Sequence, residues 1–265
     1  WNELFTSTEA MDDFKELGRL DTPDVLTLDE GYSVSITPVR YGAAISVSQE
    51  DMIRMGDNTE MIDTYLRRQR DQLLTSGFNK FLTSNFQMLN EAFSGSATYL
   101  APDGNAFLGS HTWASGATFD NGVTEVFSST AVDNAEEYAG AFTDGKGKPM
   151  PINLDTIIVK KGSAAARLAK KLFAEHIAPT AVADINIYEG EYTIIETPYI
   201  TTANKLYWFM RASNLRNSLA VGIVKPISLD EPVIEKNGSV YTPATGFWKQ
   251  GIVNMPFDWY GSTGS

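Results

Sequence analysis

The sequence predicts an α+β fold, and three patterns carry that reading. Residues 21–47 alternate apolar and polar side chains with the period of two that a half-buried strand needs. Residues 58–93 repeat apolar side chains at three, four or seven positions, which is the period of a long helix. From 156 to 211 a continuous apolar run, an amphipathic stretch and further β-prone runs follow one another, as in a compact α/β unit.

In chain order, Met11, Phe14 and Leu17 recur at spacing three and predict a short helix over Thr8–Leu17. A first residue of Trp rather than Met raises the expectation that N-terminal material precedes this sequence. Val25, Leu26 and Leu28 then run into a turn signal at Asp29-Glu30-Gly31. Tyr32, Val34, Ile36, Val39 and Tyr41 alternate beyond it, around Pro38. Two β-prone runs joined by a Gly-containing turn read as a hairpin. Pro38 cannot donate to a ladder and marks an edge or a bulge. The outward residues are Ser, Thr and Asp, and a long exposed hairpin is poorly stable alone, so it leans on something else.

Ser48, with an acid three residues later at Asp51, opens a short helix that runs to Met55 and stops at Gly56. Asp57 with Glu60 gives a second N-terminal cap signature. The long helix follows, through Ile62, Leu66, Leu73, Leu74, Phe78, Phe81, Leu82, Phe86, Leu89 and Phe93. At the standard rise it is roughly 50 Å long, weakened slightly by Gly77. Residues 94–130, rich in Gly, Ser, Ala and Thr, read as loop with short strands. A helix over Asp133–Phe142 ends in the loop Asp144-Gly-Lys-Gly-Lys148-Pro. Thr156–Lys160 is a buried strand, and Gly162-Ser163 caps a helix over Ala164–Ile177 that turns Leu168, Leu172, Phe173 and Ile177 to one side. Asp184–Thr197 reads as a bent strand or strand pair, Leu206–Arg211 as another strand, and the chain from Val221 to Trp259 as strands between Pro and Gly turns.

The chemical toolkit is thin. There is no cysteine, which excludes disulfides, thiolate nucleophiles and sulfur-ligated metals. His111 and His176 stand 65 positions apart and fit neither a zinc motif nor a serine-hydrolase elbow. His111 reads as a hydrogen-bonded loop residue, and His176 as a helix-end residue facing the negative pole of the dipole. Gly145-Lys-Gly-Lys148 lacks the Gly-Lys-Ser/Thr ending of a phosphate loop and reads as a surface loop. Arg67, Arg68 and Arg70 lie among Asp63 and Asp71 and read as a solvated or subunit-facing ionic face, with Asp63–Arg67 an (i, i+4) pair. No catalytic, cofactor-binding or metal site is predicted. No run approaches the ~18 apolar residues of a membrane span. The net charge of −12 is the wrong sign for a protein whose task is gripping phosphate.

A hairpin, one long helix, a Gly-rich loop and then a compact α/β domain is an order that resembles the major capsid proteins of tailed phages. The segment Val39-Arg-Tyr-Gly-Ala-Ala-Ile45-Ser-Val-Ser-Gln-Glu-Asp51 looks like the junction at which such subunits leave their extended loop. Asp103-Gly-Asn-Ala-Phe107-Leu-Gly-Ser-His111 is similar to a Gly-x-x-Leu-Phe-x-x-x-His segment of the Mu-like major head subunits, with Phe-Leu here in place of Leu-Phe. Phe247-Trp248-Lys-Gln-Gly251 stands where the family has its final strand.

The resemblance spans nearly the whole chain. It implies an N-terminal arm at 1–20, the extended loop at 21–47 and a peripheral domain at 48–130 with a spine helix at 58–93. It further implies an axial domain at 131–235 and closing strands at 236–265 that are peripheral or axial. The implied function is structural and not enzymatic: hexamers and pentamers of an icosahedral virion shell that encloses double-stranded DNA without sequence-specific binding. The acidic surface then keeps the contents off the wall. Assembly in the bacterial host cytoplasm, with portal, scaffold and decoration proteins as partners and no membrane, follows from the same resemblance. Some relatives lock their shells through a Lys–Asn bond from a lysine on the extended loop. Here no lysine occurs between Lys15 and Lys80, so the hairpin instead lies uncrosslinked on a neighbouring subunit. Two other readings remain at this point: an encapsulin-like compartment shell and a monomeric α+β hydrolase or binding domain.

Overall fold

The computed structural model describes residues 3–8, 30–56, 59–96, 98–173, 190–215 and 217–264. Its strands are β1 Glu3–Thr8, β2 Glu30–Ile36, β3 Val39–Val47, β4 Ser110–Thr112, β5 Thr118–Asp120, β6 Gly122–Val123, β7 Thr156–Lys160, β8 Thr193–Thr197, β9 Trp208–Arg211, β10 Leu219–Leu229, β11 Val233–Ile234, β12 Val240–Ile252 and β13 Trp259–Ser262. Its helices are α1 Gln49–Arg54, α2 Thr59–Asn90, α3 Ser129–Gly140 and α4 Ala164–Phe173. The mixed α+β class is as the sequence predicts. The chain folds as two compact units, one holding Ile36–Phe86 and Val221–Gln250, the other Leu4–Ser35, Gln87–Ala220 and Gly251–Ser265.

In the first unit, β12 is paired antiparallel with β3 over nine positions, from Val240↔Val47 to Trp248↔Val39. β10 and β11 complete the four-stranded sheet. Leu73, Gly77, Phe81 and Ser84, spaced to share one helical face, form the side of α2 that meets this sheet. Trp248 seats the helix: its ring lies edge-on to Phe81 at 5.5 Å, and its Nε1 donates to Ser84 Oγ at 2.9 Å. α1 has the expected cap, with Ser48 Oγ accepting from Asp51 N at 3.1 Å and Gly56 closing the turn at φ 65°.

Three expectations need correction. Glu30 and Gly31 belong to strand β2, not to a turn, and β2 pairs with β1. The strand beside Glu30–Ile36 is therefore Glu3–Thr8, and Thr8 is strand rather than the start of a helix. The rest of that helix, and the run Val25–Leu28, lie outside the described residues. β3, expected as a hairpin arm, is instead a strand of its own chain's four-stranded sheet. Its nine-residue register with β12 satisfies far more backbone than the local turn could.

The apolar positions of α2 also do not form one stripe. Phe78 is 55% exposed; it stands about 140° around the helix from Leu73. The helix ends at Asn90, where the Asn90 side chain and carbonyl bind Tyr199 O, Thr201 N and Asn204 Nδ2, so Phe93 lies beyond it and packs edge-on against Tyr207 at 5.2 Å. The Asp57 cap lies outside the described residues.

The second unit is built on a five-stranded sheet ordered β6-β13-β9-β7-β8. β7, the run Thr-Ile-Ile-Val-Lys, is an inner strand flanked by β9 and β8, which is why its Ile157, Ile158 and Val159 are all buried. α4 makes the crossover from β7 to the parallel β8, capped by Ser163 Oγ accepting from Ala166 N at 3.0 Å. α3 begins at Ser129, earlier than expected, because Ser128 Oγ accepts from Ala131 N at 3.1 Å and caps it. Ala131, Val132, Ala135 and Ala139 of α3 share a core with Ala165, Ala166, Ala169 and Phe173 of α4, and with Trp208, Met210 and Tyr260 from the sheet. β8 begins at Thr193, within the expected Asp184–Thr197 stretch, of which 184–189 lies outside the described residues, and β9 begins at Trp208, two residues after the expected Leu206.

Candidate functional site

The polar centres singled out by sequence lie in these surroundings where they are described. His111 is fully buried. Its Nδ1 lies 3.1 Å from Asp103 Oδ2 and its Nε2 3.2 Å from the Phe107 carbonyl, while the ring stacks on Phe119. Both ring nitrogens face acceptor oxygens, so neither is open to a substrate. Asp103, eight residues upstream, is the partner acid that sequence reasoning missed. Burial alone would raise its pKa, but hydrogen bonds from His111, Thr112 N and Asn105 N outweigh that and hold it at about 2. The signal available was the spacing: an Asp-Gly-Asn turn that brings a carboxylate back over its own loop.

Asp144 organises the Gly145–Lys148 loop by accepting from Lys146 N and Lys148 N, both at 2.9 Å, so the loop amides point at a carboxylate. The Asp63–Arg67 pair forms at 2.7 Å with both side chains exposed. His176 lies outside the described residues. Among the described residues no group of three or more His, Asp or Glu side chains is gathered as metal ligands, and no helix is long and apolar enough to cross a membrane.

A second buried acid went unread in the sequence. Asp258 is fully buried and accepts from Ser218 N at 3.1 Å through one oxygen, while its other oxygen and the Ser218 hydroxyl lack hydrogen bonds. Burial pushes its pKa up to about 6, against the opposing pull of Ser218 and Arg211. Ser218 O also accepts from Val253 N at 2.8 Å, so this acid closes the second unit around the start of β10 and the end of β12.

What the chain does present is surface. Among the described residues the β1–β2 ribbon is a sheet of two strands, Leu4 on it is 69% exposed, and Ser33 and Ser35 face outward. Tyr32 ties the ribbon to its unit, its hydroxyl donating to Thr112 O at 3.1 Å. On the first unit Val221, Ile223 and Val224 of β10 and Val233 and Ile234 of β11 are exposed apolar side chains. A thin two-stranded ribbon and apolar strand faces left uncovered within one chain are features of a subunit built to be covered by others.

Residues 31–254 match the family described as phage capsid protein. The chain belongs to this family. It is a structural protein of the phage virion, a major capsid protein. The match is to the family as a whole and does not single out the Mu-like head subunits. Solved structures agree in fold. A chain of Mycobacterium phage Patience superposes with a TM-score of 0.56 at 12% identity, covering 98% of this chain and 78% of its own. The cyanophage Pam1 capsid gives 0.52 at 12%, covering 100% and 86%. The bacteriophage PhiM1 mature capsid gives 0.51 at 11%, covering 98% and 81%. Curated proteins give no sequence match.

Proposed function

We propose that copies of this capsid protein form hexamers and pentamers that tile an icosahedral shell around double-stranded DNA, and that the role is purely mechanical. The observation that carries this reading is the β1–β2 ribbon: two strands with an exposed apolar residue are marginal in water and gain stability by lying on another copy. In this reading the β1–β2 ribbon, Glu3–Thr8 with Glu30–Ile36, belongs to the extended loop, α2 is the spine helix, and the sheet of β3, β10, β11 and β12 is the peripheral sheet. The five-stranded sheet with α3 and α4 is the axial domain. Set against the 21–47 segment expected from sequence, the loop in this reading gives up Val39–Val47 to the peripheral sheet and gains Glu3–Thr8 from the 1–20 arm.

The buried, doubly engaged His111 and the carboxylate-filled Gly145–Lys148 loop support a role without catalysis. The net charge of −12 supports a container that holds DNA without sequence-specific grip. Assembly in the bacterial host cytoplasm, on a scaffold and around a portal, with decoration proteins added outside, completes the proposal. Sedimentation velocity of the purified protein tests it. Capsomers or megadalton particles are expected; a 29.1 kDa monomer at every concentration would return the case to a monomeric binding domain or hydrolase.

A further inference from the structure

The five-stranded sheet of the second unit ends on β8 at one side and on β6 at the other, and the unit carries two helices of opposite charge. α4 packs on β7 and β8. It carries Arg167, Lys170 and Lys171 with no acid, and all three are exposed. Lys170 reaches Glu196 of β8 at 2.7 Å, which fixes the basic face over that edge.

α3 is the reverse, with Asp133, Glu136 and Glu137 and no base. Glu136, exposed on α3, accepts from the Tyr192 hydroxyl. The other flank of α3 looks toward β13 and β6. Tyr138 stacks on Tyr260 of β13 at 6.3 Å, and Asn134 Nδ2 donates to the Glu125 carboxylate, whose own backbone N donates to Ser262 Oγ of β13 at 2.7 Å. On this flank Asn134, Glu137, Tyr138 and Ala141 line an open hollow of about 300 Å³. The Tyr138 ring is half exposed there, beside an exposed carboxylate. A carboxylate next to an aromatic face is a receptor for a lysine or arginine head group.

Resting on the capsid reading, we propose that the α3 hollow of one subunit receives the basic face of α4, Arg167 and Lys171, from the next copy. The two surfaces differ, one on α3 and one on α4. The contact is therefore heterologous and runs head to tail, the kind of contact that closes a ring. Charge complementarity selects the partner: in a chain of net charge −12, α4 is a local concentration of cations, and its complement is carried by the same fold.

Charge reversal tests this. Glu137→Lys and Lys171→Glu are made singly, together in one chain, and as a 1:1 mixture of the two single variants. Capsomer yield is measured by sedimentation, and subunit folding by circular dichroism. Each single reversal lowers yield about tenfold or more, because like charges then face each other. The double variant recovers it, since every contact again joins opposite charges, and the mixture recovers six-membered rings, in which the two variants alternate, while a five-membered ring keeps one like-charged contact. Single variants that assemble like the parent, or folded single variants that neither combination rescues, overturn the proposal while leaving the capsid reading in place. A parent protein that never assembles defeats both. Should a reversal prevent folding, Glu137→Gln and Lys171→Gln decide: each makes assembly less sensitive to added salt, and unchanged sensitivity overturns the proposal.

Discussion

Tyr41 and Trp248 stack with ring centroids 4.3 Å apart, and they do so across the space that Gly246 leaves empty. Tyr41 is paired in register with Gly246, so Trp248 is its diagonal neighbour and folds back over the missing side chain. A Cβ on Gly246 would come within 2.6 Å of the Trp248 ring. Trp248→Ala is expected to lower stability by about 3–5 kcal/mol in urea unfolding, and Gly246→Ala by about 1–3 kcal/mol through displacement of the same ring.

Gly77 supplies a second close approach. A Cβ there would lie 2.9 Å from Ile227 Cγ2. Alanine gains about 1 kcal/mol in helix propensity, and overpacking takes back about 1–3 kcal/mol. Gly77→Ala is expected to be neutral to destabilising, and Ile227→Val in the same chain to expose the propensity gain. Thermal unfolding of the single and double variants measures both.

Asp103 makes stability depend on pH at the acid end. Its folded pKa, about 2, lies below the ordinary carboxyl value of 3.8, so the unfolded chain binds the extra proton between these values. Stability therefore rises with pH across that window, is fully present above it, and is lost as pH falls through about 2. Asp103→Asn is expected to cost about 2 kcal/mol at pH 7 and to flatten the urea midpoint between pH 4 and 2.

Asp258 acts with the opposite sign. Its folded pKa, about 6, lies above 3.8, so the native state keeps a proton that the unfolded chain has released. Its contribution is present below about pH 4 and is lost as pH climbs through about 6. Asp258→Asn keeps an acceptor for Ser218 N and adds a donor for the Ser218 hydroxyl. It is expected to raise stability at pH 8 by about 2–3 kcal/mol and to remove the decline between pH 4 and 6.

The parts of the fold legible in the sequence are those whose signals are local. Thr156–Lys160 is read correctly because five residues of one apolar run define an inner strand. α1 is read from Ser48 and Gly56, and the reach of α2 from its uninterrupted apolar recurrence. The pairings that set the architecture are not local. β1 finds β2 across more than twenty residues, and β3 finds β12 across nearly two hundred, so the nearby Asp-Glu-Gly signal points to a turn that the long-range pairing overrides. Ser128 is a cap whose acid partner is absent, which hid the start of α3. Of the polar centres, His111 was legible as a structural residue, but its partner Asp103 and the buried Asp258 were not. Burial belongs to the assembled core and not to the residues beside them in sequence.

The account turns on the β1–β2 ribbon finding its cover on another copy, and the absence of cysteine makes that directly measurable. A single thiol is introduced as Leu4→Cys, at a position 69% exposed in the lone subunit, and its maleimide labelling rate is compared in assembled particles and in dissociated subunits. The account predicts rapid labelling of the subunit and strong protection in the particle. Equal labelling in both states would show that the ribbon stays uncovered in the shell, and would contradict it.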